Sequence, residues 1–204
     1  MMRAQSRWLR GVAGALVFQA SFAWAAGAGD AGLVRLPMVC SRGPATQYFT
    51  AHVSAPMEAA QGSTYAVRID SMPSGDITHT GLNYLRAIAT DYAIPAGTSY
   101  VEGSARVVPH SGSDNVRLGT SVWYEHGLIH LFLPAHVHDA YTPPSLEFSL
   151  RVNAPPATSL AIRFTQHRLI ANVFLLGDLN VTCNPKPEFT TVATTLVETA
   201  DAPK

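Results

Sequence analysis

The sequence predicts an all-β fold: one antiparallel β-sandwich closed by a single disulfide. Three observations predict it. The apolar stretches are short, rich in β-branched and aromatic residues, and bounded by Gly, Pro, Asn or Asp, which is the signature of strands. Several of these stretches alternate in polarity with period two, as a sheet with one buried and one wet face requires. Finally, the only two cysteines, Cys40 and Cys183, lie near opposite ends of the strand-rich region.

Taken in order, the expected strands begin with "LVRL" near Leu33 and "TQYFTAHV" over Thr46–Val53, followed by "TYAVRID" over Thr64–Asp70. In the last of these Tyr65, Val67 and Ile69 share a face opposite Ala66 and Arg68. A long segment over Leu82–Ile94 comes next, then Ser99–Val108, Thr120–Glu125 and Gly127–Leu133. "SLEFSLRV", Ser145–Val152, places Leu146, Phe148, Leu150 and Val152 on one face and Glu147, Ser149 and Arg151 on the other. Leu160–Leu169, Leu179–Cys183 and Thr190–Val197 complete the set. "IPAGTSY" and "APPATSL" put Pro and Gly where strands begin, where no ladder hydrogen bond is lost. This pattern reads as one immunoglobulin-like sandwich over residues 32–197, with residues 198–204 as a solvated tail.

The first 25 residues read as a secretory signal peptide. Arg3, Arg7 and Arg10 precede the apolar run "GVAGALVFQASFAW", and Ala23–Trp24–Ala25 supplies a small-x-small cleavage pattern. A retained membrane anchor is the alternative, but the run is shorter than the ~20 residues a spanning helix needs. The expected location is therefore secreted, cell envelope or periplasm, with no stable membrane span after cleavage. In that setting two cysteines point to one disulfide, two free thiols being the alternative. Without the three N-terminal arginines the chain holds 11 basic against 14 acidic residues, and only two lysines, Lys186 and Lys204. With no basic stripe to neutralise phosphates, nucleic-acid binding is excluded.

"DYAIPAGTSYVEGSARV", "VWYEHGLIHLFLP" and "SLEFSLRVNAPP" resemble the middle strands of bacterial cell-surface immunoglobulin-like repeats. The mature chain as a whole resembles small exported β-sandwich proteins of actinobacterial type. It matches them at Cys40, Ala55–Pro56, Gly62, Ile94–Pro95, Gly97, Cys183, Pro185 and Pro187, and departs from them at Leu36–Pro37–Met38. The resemblance implies an exported sandwich stapled by a disulfide, and it assigns no catalytic residue.

Chemistry-bearing residues concentrate in "WYEHGLIHLFLPAHVHDAY", Trp123–Tyr141, which holds four of the eight histidines. "EHG" reads as a hairpin turn, and His130 shares a strand face with Leu128 and Phe132. His136 and His138 follow Pro134 in the next loop. His126 lies at the other end of the strand, so the four histidines do not ligate one ion. His136, His138 and Asp139 form the candidate metal set, for zinc or copper. Trp123, flanked by Val122 within a strand, is expected in the core between the sheets; were it exposed, it could stack against sugars or pack on a partner. No nucleophile elbow, H-E-x-x-H helix or complete β-lactamase motif is present, and "SDN" at Ser113–Asn115 reads as a turn. Asp70, Asp76, Asp91, Glu102 and Glu125 are the acids from which a hydrolase would need a pair.

The expectation is a non-catalytic, exported module that binds a cell-envelope component or protein partner, or serves the envelope structurally, with no cofactor. A metal-binding protein using the His136–Asp139 loop is the alternative, and an envelope hydrolase a second one.

Overall fold

The computed structural model describes residues 32–42, 47–72, 81–108, 119–134, 136–138 and 142–199. The signal segment, the Ser113–Asn115 turn, Asp76, Asp139, Tyr141 and residues 200–204 lie outside the described residues. Those described form strands and turns with no helix. In chain order the strands are β1 (Gly32–Cys40), β2 (Gln47–Ser54), β3 (Glu58–Ala59), β4 (Thr64–Ser71), β5 (Leu82–Ala93) and β6 (Thr98–Tyr100). β7 (Arg106–Val108), β8 (Ser121–Glu125), β9 (Leu128–Leu133) and β10 (Ser145–Val152) follow. β11 (Ser159–Val173), β12 (Gly177–Pro185) and β13 (Thr191–Val197) close the chain.

One antiparallel ladder, β6-β10-β4-β2-β1-β12-β11-β5-β9-β8, folds back on itself. β1 makes the corner. Over Gly32–Met38 it pairs with β2, and over Met38–Cys40 it pairs with β12. Cys40 and Cys183 sit opposite each other in the second register and are disulfide-bonded. The two layers meet face to face, with Phe49 of β2 stacked on Phe164 of β11 at 4.5 Å and edge-on to Tyr92 of β5 at 6.2 Å. Tyr100 of β6 stacks on Tyr124 of β8 at 4.5 Å, bringing the two ends of the ladder together. The buried sets are those that alternation predicts: Tyr65, Val67 and Ile69 in β4, and Leu146, Phe148, Leu150 and Val152 in β10. The hydroxyls of Tyr65 and Tyr92 are buried in this core without a hydrogen-bond partner among the described residues. Burial pushes the Tyr65 hydroxyl up to about 12, although Thr195 stands close enough to pull it the other way.

Three expected strands change most on folding. The strand expected over Ser99–Val108 is split into β6 and β7, because Gly103 turns the chain at φ 71° and Ala105 N–H donates to the Tyr100 hydroxyl at 2.9 Å. β11 and β12 are longer than expected and form a hairpin whose pairing runs from His167↔Cys183 to Val173↔Gly177. At the β5–β6 turn Gly97 is obligatory. Its φ is 84°, and a Cβ there would come within 2.7 Å of the Ala154 Cβ.

Candidate functional site

The hairpin of β8 and β9 turns on His126–Gly127, both with positive φ (49° and 82°), as a two-residue type I′ connection demands. That turn sets Glu125↔Leu128 and therefore Trp123↔His130. Ile129, Leu131 and Leu133 are the buried side of β9, so His130 and Trp123 both stand on the outer face. The expectation that Trp123 fills the core is thus corrected: it is 42% exposed. Its neighbour Val122 takes the inward position and packs against the core. The indole instead stacks on the His130 ring at 5.0 Å and 21°.

Continuing across the outer face, His130 pairs with Asp91 of β5. The His130 Nδ1–H donates to Asp91 Oδ1 at 2.8 Å, and Arg168 Nη2 donates to Asp91 Oδ2 at 2.9 Å. Asp91 is only 5% exposed. A buried carboxylate persists when hydrogen-bond donors meet both its oxygens, as they do here. The donor from β11 arrives through a bulge. Up to Phe164 the even-numbered residues of β11 point inward, with Leu160, Ile162 and Phe164 all buried. A register shift between Phe164 and Gln166 reverses the parity, so Arg168 emerges outward beside Asp91 while Ala171 is buried. His167 then lies 3.0 Å from the Thr90 hydroxyl across the β5–β11 pairing. Burial pushes the His167 imidazole down to about 4, against an opposing pull from Asp91. Part of its surface still reaches solvent.

A second cluster occupies the end of the sheet where β11 passes into β12. Val137 bridges Leu85 of β5 and is buried, leaving His136 and His138 exposed on either side of it. Both rings rest on Tyr84, His136 stacked at 4.8 Å and His138 edge-on at 5.7 Å. The His138 Nδ1–H donates to the Asn83 carbonyl at 3.1 Å. Arg86 pairs with Asp178, which also accepts from Asn172 at 2.7 Å. These donors hold the Asp178 carboxyl below the ordinary range, Arg86 contributing most. Among the described residues no group of three His, Cys, Asp or Glu side chains is arranged to hold a metal ion. Asp139, the third member of the expected set, lies outside them.

Beside this cluster the hairpin tip projects Phe174, Leu175 and Leu176, exposed by 63%, 88% and 68%. Leu175 adopts φ 65°, a left-handed conformation that costs an ordinary L-residue roughly 1 kcal/mol. The Phe174 N–H donates to the Gly81 carbonyl, tying the tip to the start of β5. Sequence reading passed over both the tip and the Asp91 row. "VFLLGD" between two polar-alternating strands was the available signal for the tip. The two-residue hairpin register was the signal for Trp123 opposite His130.

No protein-family model matches the sequence, and no curated protein matches it significantly. Among solved structures the chain is similar to the sixth cohesin of Acetivibrio cellulolyticus scaffoldin B, crystallised with a mutant Cel5 dockerin. Identity is 12% and the TM-score 0.39, covering 74% of this chain and 99% of that one. It is also similar to a non-cellulosomal cohesin from the archaeon Archaeoglobus fulgidus (15%, TM-score 0.36, 71% and 87% covered). A third is the collagen-binding domain of a Staphylococcus aureus adhesin (8%, TM-score 0.36, 72% and 96% covered). At such identities and scores nothing about this chain's partner follows from theirs.

Proposed function

We propose that the protein is an exported, non-catalytic binding module that engages a protein partner through the β11–β12 hairpin tip. The observation that carries this reading is Leu175, which is 88% exposed and held at positive φ. Its exposure and its conformation both work against folding stability. Strain of that kind accumulates at binding sites. Phe174 and Leu176 enlarge the apolar tip, while Asn83, Asn172 and the Arg86–Asp178 pair form a polar rim around it, the arrangement of an interface hot spot. The chain's described ends lie at the other pole. Ser159 pairs with Leu196, and Gly32 with Val53, whereas the tip begins past Val173. At about 3.3 Å per residue β11 sets the tip roughly 45 Å from that pole. A chain tethered by either end would present the tip outward, toward a partner.

The test is capture from the producing cell's envelope by the full chain after cross-linking. Proteins retained by the wild type should be lost with Leu175→Asp and Phe174→Asp, at unchanged melting temperature. Identical capture by all three proteins would sink the reading.

A metal-binding role for His136, His138 and Asp139 is favoured by one observation. The His138 Nδ1–H is committed to the Asn83 carbonyl, which leaves Nε2 as the free lone pair, the orientation second-shell partners give to metal-bound histidines. Zinc and copper titration of the wild type and of the His136→Ala, His138→Ala double variant decides it. Equal metal content in the two proteins ends this reading.

A further inference from the structure

The outer-face row of Trp123, His130, Asp91 and Arg168 is separate from the hairpin pole. We infer that it is a binding site for a neutral glycan chain, with Trp123 as the stacking platform. One face of the indole is taken by His130. The indole stands on β8, the last strand of the ladder, and Trp123 is 42% exposed, so part of its flat apolar surface meets water beside polar groups already fixed in place. A pyranose presents the same pairing, an apolar C–H face and a rim of hydroxyls, each both donor and acceptor.

The row supplies alternating partners for those hydroxyls. His130 donates through Nδ1 to Asp91, so in the neutral ring Nε2 is an acceptor. Arg168 uses Nη2 on Asp91 and is half-exposed, so the rest of its guanidinium fork can donate outward. Asp91 orients both without having to touch the ligand, which makes it a positioning residue. The Asp91–Arg168 pair leaves the row with no excess charge when His130 is neutral, which suits an uncharged sugar better than an anion. Four strands at about 4.8 Å spacing stretch the row over roughly 14 Å, the reach of an oligosaccharide and not of a single ring.

Titration calorimetry of the full chain against glucan, mannan, xylan and chitin oligomers, six sugars long, tests the site. At least one oligomer should bind. Trp123→Ala should weaken it about tenfold or more, Trp123→Phe less, and Arg168→Gln severalfold, because each removes or reduces a stacking or hydrogen-bonding contact. Leu175→Asp should bind as the wild type does, so failure of the hairpin reading and failure of this one remain distinguishable. No binding by any oligomer overturns the inference. So does binding that is unchanged by both Trp123→Phe and Arg168→Gln, the two variants that preserve the row's packing best.

Discussion

The Asp91 row and the hairpin tip both invert the usual distribution of residues, in opposite senses. At Asp91 a charge is buried on a sheet face; at Leu175 a large apolar side chain is thrust into water. The first inversion is compensated inside the fold, since His130 and Arg168 meet both carboxylate oxygens. At the tip, Leu175 stays 88% exposed. The buried charge is met by donors within the chain, while the exposed leucine at positive φ is the feature on which the proposed partner contact rests. Unfolding measurements should therefore respond to loss of the Asp91 carboxylate, and capture of a protein partner to changes at the hairpin tip.

The largest expected effect falls on the scaffold that both regions share. Replacing Cys40 and Cys183 by Ser opens a link spanning 143 residues and should cost about 4 kcal/mol in denaturant unfolding. Capture through the tip should survive below the transition, because the hairpin pairs locally. Loss of capture at full folding would break the separation of the two regions. Next, Asp91→Ala removes two hydrogen bonds to a carboxylate but leaves a half-exposed Arg168, and should cost about 2 kcal/mol. A cost near zero would mean that the row contributes nothing to the fold.

His167 beside the row gives a pH signature. Its native pKa, about 4, lies below the ordinary histidine value of about 6.5. Between those values the unfolded chain binds a proton that the native state refuses, so stability falls as the pH is lowered. The expected loss is at most about 1.4 kcal/mol per pH unit, ending near pH 4. His167→Gln should flatten that slope in urea melts run from pH 7 to 4. The smallest effect sharpens the contrast most. Leu175→Gly should raise stability by up to about 1 kcal/mol by relieving the positive φ, while weakening capture of the partner. A destabilised Gly variant would show that Leu175 is part of the fold and not of an interface.

Much of this was legible in the residues. The alternation in β4 and β10, the Gly97 turn and the EHG hairpin follow from period-two patterning and turn chemistry, and folding preserved each. Alternation set His130 opposite Ile129, Leu131 and Leu133, and folding buried those three. Trp123 was misplaced because its neighbours were weighed for hydrophobicity without carrying the hairpin register across to His130. Arg168 was beyond reach. Straight alternation from Phe164 puts it inside, and only the bulge turns it outward.

By itself the sequence determined the all-β class, the positions of most strands and the pairing of its only two cysteines, because these rest on local periodicity and on having one possible partner. Tertiary structure decided which faces are wet, where β5 and β11 change parity, and how Trp123, His130, Asp91 and Arg168 come into one row. Those outcomes depend on registers between strands up to 77 residues apart in the chain. A one-residue shift in such a register sends every following side chain to the opposite face.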